Sequence, residues 1–193
     1  MKRLLPAAVV LLLLSGCTAD PLAQQYASGS NQNYISGDGS LTVIAEADRG
    51  PAVAFEGETD AGEHVSSADY SGQVLVINFW YAACPPCRLE APDLEALAEQ
   101  FDGEGASFLG VNVRDQAESA HNFAEKWGIS YPSVIDANDG NMLYAFAGTV
   151  APNAVPTTLV IDKQGRVAAR FLGLISEPST LESIITDTIA EAD

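Results

Sequence analysis

The most informative part of the sequence is residues 74–94, VLVINFWYAACPPCRLEAPDL. Residues 74–79 are a nearly continuous apolar run, which predicts a strand buried on both faces. Beyond residue 84, apolar residues recur at i, i+3, i+4 and i+7, the spacing of one helix face: Leu94, Leu97, Ala98 and Phe101. Pro85 and Pro86 fall in the first turn of this helix, where their missing N–H groups cost little. The sequence therefore predicts a buried strand that leads directly into a helix.

Two cysteines, Cys84 and Cys87, lie where the predicted strand meets the predicted helix. A helix amino terminus carries unpaired N–H groups and about half a positive charge, and both favour a thiolate. We expect Cys84, at the helix end, to face solvent and to attack a partner disulfide. Cys87 lies one turn further in, so we expect it to be shielded and to resolve the mixed disulfide. The pattern predicts thiol–disulfide exchange.

A zinc half-site and a static disulfide are the alternative interpretations of this cysteine pair. A zinc site needs four ligands, and beside the pair the chain offers His64 and His121 as its only histidines. A static disulfide does not require the strand–helix junction or the two prolines. Redox chemistry is therefore the favoured interpretation, and we expect no metal and no cofactor.

The remaining pattern predicts an α/β domain over residues 41–193. Turn-forming residues 58–63 indicate a hairpin tip near its start. Strands and helices are then predicted in alternation, and they end in a hairpin around residues 162–165 and a terminal helix over 178–190. This order predicts a central mixed sheet flanked by helices.

The first 40 residues have the composition of an export signal and a linker. Lys2 and Arg3 precede an apolar stretch, residues 4–14, that is shorter than the ~20 residues of a membrane span. Leu14-Ser15-Gly16-Cys17 then resembles the bacterial lipobox, which implies removal of residues 1–16 and a lipid on Cys17. Residues 17–40 are rich in Ser, Gly, Asn and Gln, so we expect a flexible tether. The predicted location is the extracytoplasmic face of the cell membrane, by lipid anchor.

The charge of the chain argues against a nucleic-acid partner. It contains 26 Asp and Glu against 9 Lys and Arg, a formal net charge of −17. The sequence has no basic patch of the kind that neutralises phosphates. We interpret the acidity as a contribution to solubility.

Residues 78–92, NFWYAACPPCRLEAP, resemble the active-site segment of the TlpA/ResA-like thioredoxins. Val155-Pro156-Thr157-Thr158, with Ile161-Asp162 and Gly165 after it, resembles the cis-proline loop, strand and turn of the same family. The resemblance covers most of residues 51–193. It implies a thioredoxin fold with an N-terminal hairpin and a central helical insertion.

The resemblance also implies roles for individual residues. Pro156 is expected to be cis and to face the disulfide, with the Val155 backbone placed to pair with a partner chain as an added strand. The alternative for Pro156 is a proline at the edge of a strand. Glu90 is expected to act beside the cysteine pair, because Asn78 stands where thioredoxin has a buried aspartate. The alternative for Glu90 is a solvated helix charge. Members of the family commonly carry Trp before the first cysteine, where this chain has Ala83.

Four residues are candidates for contact with the substrate: Trp80, Pro85, Pro86 and Val155. Trp80 and Tyr81 are candidates for part of the aromatic wall that Ala83 does not provide. For Trp80 a plain core position is an equal alternative.

The function that these features predict is reduction of protein disulfides outside the cytoplasm. The family resemblance implies a substrate such as the CxxCH disulfide of apocytochrome c. The electrons would come from a thiol–disulfide donor in the membrane. Three alternatives stay open at this point: a disulfide-forming oxidase on the same fold, a non-enzymatic copper-binding module, and a peroxiredoxin. The copper module is disfavoured by the CxxC spacing, and the peroxiredoxin is disfavoured by Tyr81, where that family has Thr or Ser.

Overall fold

Strands and helices alternate along most of the chain. The structure, a computed structural model, describes residues 34–35, 40–149 and 154–191. In chain order, the described elements are β1 (Tyr34–Ile35), β2 (Leu41–Val43), β3 (Glu56–Glu58), β4 (His64–Ser66), β5 (Val74–Trp80), α1 (Pro85–Phe101), β6 (Ala106–Asn112), α2 (Ala117–Trp127), β7 (Ser133–Ile135), α3 (Asn141–Ala145), β8 (Thr157–Ile161), β9 (Val167–Leu172) and α4 (Pro178–Ala190).

Strand β5 lies inside a mixed sheet. In the described part of the chain, seven strands form this sheet in the order β1-β2-β9-β8-β5-β6-β7. β5 runs parallel to β6 and antiparallel to β8. Every residue of β5 is buried, as its apolar run predicts. The predicted hairpin is the antiparallel pair β3–β4, and α2 and α3 occupy the predicted insertion between β6 and β8.

The two faces of the sheet carry separate apolar layers because side chains alternate along each strand. Leu75, Ile77 and Phe79 of β5 pack with Met142 of α3 and with Phe146. The opposite face of β5 and β6 packs against α1 and α4, through Val74, Val76, Leu94, Leu181 and Ile185 among others. The α/β arrangement predicted from the sequence is confirmed.

The sheet begins earlier than the predicted domain boundary at residue 41. Tyr34 pairs with Val43 and Ile35 pairs with Thr42, so β1 falls inside the segment 17–40 that was expected to be a flexible tether. The pairing covers the outer edge of β2, whose backbone groups would otherwise lack partners in the sheet. The predicted signal peptide and Cys17 lie outside the described residues. No helix among residues 40–149 and 154–191 has the length and apolarity to span a bilayer.

Candidate active site

The cysteine pair lies at the start of α1. Cys84 is the residue that caps the helix, and its sulfur is bonded to that of Cys87. The backbone N–H of Cys87 donates to Cys84 Sγ at 3.2 Å. Pro85 and Pro86 have no N–H. Cys87 is therefore the first residue of α1 that can donate a backbone hydrogen bond to this sulfur.

Both sulfurs are shielded, which corrects the expectation that Cys84 faces solvent. Cys84 is 1% exposed and Cys87 is 3% exposed. Tyr81, Ala82 and Val155 pack against the cluster that contains the two cysteines. Side chains from the preceding loop and from the segment before β8 thus cover a position that helix geometry alone would leave open.

Trp80 is buried behind the disulfide rather than exposed to a partner. It is 6% exposed, and its ring centroid lies 4.4 Å from that of Phe123 in α2. Its indole N–H donates to Ser133 Oγ at 3.2 Å. A Cβ at Gly110 would collide with the Ser133 hydroxyl and the indole nitrogen, so only glycine fits there. This burial favours the alternative interpretation of Trp80 as a core residue.

The segment before β8 approaches the cysteine pair from the other side. The Val155–Pro156 peptide bond is cis, as the family resemblance implies. Val155 is half-buried and packs against the cluster of the two cysteines. Gly173 N–H donates to the Pro156 carbonyl at 2.8 Å, which joins this segment to the end of β9. Pro85 is exposed and Pro86 is half-buried. Val155, Pro85 and Pro86 thus remain candidates for substrate contact.

Glu90 lies one turn after Cys87 on α1 and is 1% exposed. Asn78 of β5 donates its side-chain N–H to Glu90 Oε1 at 2.9 Å, and the Ile175 N–H donates to Oε2 at 3.2 Å. Asn78 also donates to Thr158 Oγ1 of β8 at 3.0 Å. These contacts exclude the alternative interpretation of Glu90 as a solvated helix charge.

Burial makes Glu90 an unusually weak acid. Desolvation raises its pKa from the ordinary 4.5 to about 7, against the lowering effect of the Asn78 and Ile175 hydrogen bonds. Neither of these donors carries a charge. The carboxyl group is therefore poised to gain or lose a proton near neutral pH, which suits a proton carrier in thiol chemistry.

A small cavity of about 10 Å³ lies behind Cys87. Asn78, Tyr131 and Ser133 supply polar groups to its lining. Burial raises the pKa of Tyr131, and the carboxyl groups of Glu95 and Glu90 raise it further. The cavity has about the volume that one water molecule needs. Asn78 thus connects the surroundings of Cys87 with Glu90.

The loop before Cys84 is held by two charged side chains that the sequence did not identify. Asp115 Oδ2 accepts the Ala82 N–H at 2.6 Å, and Arg88 Nε donates to the Ala82 carbonyl at 2.7 Å. Asn112, at the end of β6, donates to the same Asp115 oxygen at 2.9 Å. The carboxyl ends of parallel strands meet at one edge of a sheet. The position of Asp115 shortly after β6 could therefore have indicated that it lies near the loop after β5.

The histidines lie in exposed positions. His64 Nε2 is 3.7 Å from Glu56, and His121 Nε2 is 3.6 Å from Glu125. Among the residues that the structure describes, no group of three or more His, Cys, Asp or Glu side chains is placed to hold a metal ion.

Comparison with known proteins agrees with this geometry. The model of the AhpC/TSA family matches residues 49–170. The thiol-disulfide oxidoreductase ResA of Geobacillus thermodenitrificans (strain NG80-2) is 31% identical over 186 residues, which cover 95% of this chain and 97% of that protein.

Two solved structures share the fold. A DsbF homologue from Corynebacterium diphtheriae is 34% identical with a TM-score of 0.71, over 82% of this chain and 99% of that one. A secreted thiol-disulfide isomerase from Corynebacterium glutamicum is 30% identical with a TM-score of 0.73, over 84% of this chain and 100% of that one. The chain belongs to the AhpC/TSA family of thioredoxin-fold proteins and is a ResA-like thiol-disulfide oxidoreductase.

Proposed function

We propose that this ResA-like oxidoreductase works as a reductant of protein disulfides outside the cytoplasm. The observation that carries the proposal is the start of α1, where Cys84 Sγ accepts one backbone N–H, from Cys87, and the two intervening prolines offer none. A strongly oxidising pair is one whose reduced form is unusually stabilised. Few donors to the Cys84 thiolate reduce that stabilisation, so they favour a reducing pair.

The reaction transfers two electrons from the cysteine pair to the substrate disulfide. The Cys84 thiolate attacks one substrate sulfur, a mixed disulfide forms, and the second substrate sulfur leaves as a thiolate. The Cys87 thiolate then attacks Cys84 Sγ. The Cys84–Cys87 disulfide forms, and the first substrate sulfur leaves as a thiolate. Substrate is reduced to two thiols, and the protein pair is oxidised.

Glu90 is proposed to carry the proton that the second step releases. Cys87 must lose its proton before it attacks, and the departing substrate thiolate must gain one. A carboxyl group with a pKa of about 7 accepts and returns a proton at neutral pH with little cost in free energy. Its hydrogen bond to Asn78, which lines the cavity behind Cys87, supports this role.

The proposed substrate is a protein with an exposed CxxC disulfide, such as the CxxCH segment of apocytochrome c. We propose that a thiol–disulfide donor in the membrane returns the pair to the reduced state. A lipid on Cys17 would keep the domain beside such a donor. The acidic charge of the chain supports the absence of a nucleic-acid partner.

The anchor has its own test. Membrane fractions of cells with wild-type protein should retain it, whereas Cys17→Ala should release it or leave it unprocessed. Ser15→Ala, which keeps the cysteine, is the matched control. If a Cys17→Ala protein whose signal peptide has been removed is retained in the membrane as fully as the wild type, the lipid anchor is refuted.

An oxidising or isomerising role is the second candidate. The secreted thiol-disulfide isomerase of Corynebacterium glutamicum, at 30% identity, supports an isomerising role. The equilibrium reduction potential against glutathione separates the candidates. A reductant is expected near the value of thioredoxin, about −270 mV, and a potential near that of DsbA, about −120 mV, would overturn the proposal.

Trapping identifies the substrate and the attacking thiol together. Cys87→Ser should hold the natural partner as a mixed disulfide on Cys84, because the resolving thiol is absent. Cys84→Ser is the matched control and should trap little. Capture of apocytochrome c by the first variant supports the proposed substrate. Equal capture by both variants would contradict the assignment of Cys84 as the attacking residue.

A further inference from the structure

Most basic side chains of the folded domain donate hydrogen bonds to oxygen atoms of the same domain. Residues 41–191 contain seven Lys and Arg. Five of them donate to carboxylate or carbonyl oxygens of the domain: Arg49, Arg88, Lys163, Arg166 and Arg170. Three of the seven form no ion pair within the described residues: Arg88, Arg114 and Lys126.

Two of these three cations flank the loop that leads to Cys84. Arg88 is exposed, and its Nε donates to the Ala82 carbonyl at 2.7 Å, which leaves its two terminal nitrogens without a partner among the described residues. Arg114 is exposed, and its guanidinium lies 4.2 Å from the centroid of the Tyr81 ring. We call Arg88 and Arg114 the basic rim.

Asp115 follows Arg114 in the sequence, but its carboxylate forms no ion pair with either arginine of the basic rim. Asp115 Oδ2 accepts hydrogen bonds from the Ala82 N–H and from Asn112. It therefore serves the loop itself. Both guanidiniums of the basic rim therefore lack an ion-pair partner among the described residues, on a chain with a net charge of −17.

Two exposed leucines lie next in sequence to Glu90 and to its backbone donor Ile175. Leu89, next to Glu90 on α1, is 67% exposed. Leu174 is 42% exposed, and it precedes Ile175, whose N–H binds Glu90. These are two of the largest exposed apolar side chains in the described residues.

We infer that the basic rim selects partner segments that carry an Asp or Glu beside the reactive cysteine. The inference rests on the proposed exchange function and specifies its substrate. Guanidinium groups match carboxylates through paired, charge-assisted hydrogen bonds. At physiological salt, charges further than about 8 Å are largely screened, so the rim outweighs the acidic remainder of the surface at contact range.

The test compares three synthetic peptides with the same intramolecular Cys-x-x-Cys disulfide. The residues that flank the disulfide are Glu in the first, Gln in the second and Lys in the third. The reduced full-length protein is mixed with each peptide, and the second-order rate constant of exchange is measured at low and at physiological salt. Bis(2-hydroxyethyl) disulfide, which is uncharged, serves as a fourth substrate for the wild type.

The wild type is expected to reduce the Glu peptide about tenfold faster than the Lys peptide at low salt, with the Gln peptide between them. The ratio of the Glu-peptide to the Lys-peptide rate constant should lie closer to one at physiological salt than at low salt. Arg88→Gln/Arg114→Gln should bring the ratio close to one, and Arg88→Lys/Arg114→Lys should keep most of it. Lys126→Gln removes one positive charge, against two in the double variant, from an exposed position over Trp127 and should keep the wild-type ratio. Because a ratio is compared, any change in thiol reactivity common to all peptides cancels.

The inference is overturned if the ratio of the Glu-peptide to the Lys-peptide rate constant persists in the double glutamine variant. If that variant also slows all peptides by the same factor, the rim acts on the Cys84 thiol. The inference is overturned as well if Lys126→Gln lowers the ratio as much as the double variant does, because net charge alone then matters. A wild type that reduces the uncharged disulfide but shows no peptide preference refutes this inference only. A wild type inert toward every disulfide refutes the proposed function as well.

Discussion

Glu90 and Asp162 are both almost fully buried carboxylates, at 1% and 2% exposure, but their surroundings differ. Glu90 accepts hydrogen bonds from the uncharged Asn78 side chain and from a backbone N–H. Asp162 follows β8 and accepts from two guanidiniums, Arg49 at 2.9 Å and Arg166 at 2.7 Å. One carboxyl group lies beside the redox pair, and the other lies beyond the end of β8 that pairs with the start of β5.

The difference in partners reverses the effect of burial on acidity. Burial alone raises the pKa of both groups. At Asp162 the Arg166 N–H and the two guanidiniums outweigh burial, so its pKa falls below the ordinary 3.8. At Glu90 neutral donors do not compensate, and the pKa rises to about 7. The charge of the partners decides whether a buried carboxyl group is a permanent anion or a proton carrier.

Loss of a cation from Asp162 should produce the largest change in stability. The Arg49 side chain is 4% exposed and also bonds Glu191. Arg49→Met keeps much of the volume but leaves buried carboxylate charge less compensated. We expect the free energy of unfolding at pH 7 to fall by about 3 kcal/mol. Urea denaturation measures it. Lys126→Met, at an exposed cation, is the control, and a similar loss in both variants would contradict the difference between the sites.

Glu90→Gln should remove a pH dependence of the unfolding free energy, because the substitution removes the titrating proton. The folded protein binds the Glu90 proton more tightly than the unfolded chain does. Its contribution to stability is therefore complete below pH 4.5 and is lost as the pH rises through about 7. The wild type should lose about 3 kcal/mol of unfolding free energy across this window.

The glutamine variant has no proton to lose, so its unfolding free energy should stay nearly flat over the same pH range. It keeps one acceptor for two donors, which costs a constant amount at every pH. Denaturation at pH 5 and pH 8 gives the difference for each protein. Exchange with a model disulfide should also lose its dependence on a group of pKa about 7. If the unfolding free energy changed equally with pH in the two proteins, the group with the raised pKa would not be Glu90.

The smallest expected loss of stability comes from valine substitutions at two neighbouring threonines of β8. Thr158 Oγ1 accepts from Asn78 at 3.0 Å, whereas Thr157 Oγ1 donates to the Ala154 carbonyl at 2.7 Å. Each valine variant loses one hydrogen bond, so each should lose about 1 kcal/mol of stability.

Only Thr158→Val should also raise the pKa of Glu90, because a less firmly held Asn78 lowers that pKa less effectively. The pH profile of unfolding should therefore move upward for Thr158→Val and stay in place for Thr157→Val. Matching profiles for the two variants would show that Asn78 does not need Thr158 to hold Glu90.

The sequence alone determined the local parts of the site. The apolar run before Cys84, the helix after it and the two prolines predict a redox pair at a strand–helix junction, and the structure has this junction. The terminal helix over 178–190 has the predicted bounds. Such features are predictable because each depends on residues a few positions apart, whose periodicity and missing N–H groups are written directly in the chain.

The tertiary structure alone decided what surrounds these parts. Ile175 N–H reaches Glu90 across 85 positions, Arg49 reaches Asp162 across 113, and Asp115 reaches Ala82 across 33. The packing of Val155 against the cluster that contains Cys84 and the burial of Trp80 beside Phe123 likewise come from distant segments. No local pattern encodes such contacts, because they depend on which strands become neighbours in the sheet. Spacing places Glu90 on the same face of α1 as Cys87. Only the packing of β5, β8 and the segment after β9 around it removes the water that would keep its pKa near the ordinary 4.5.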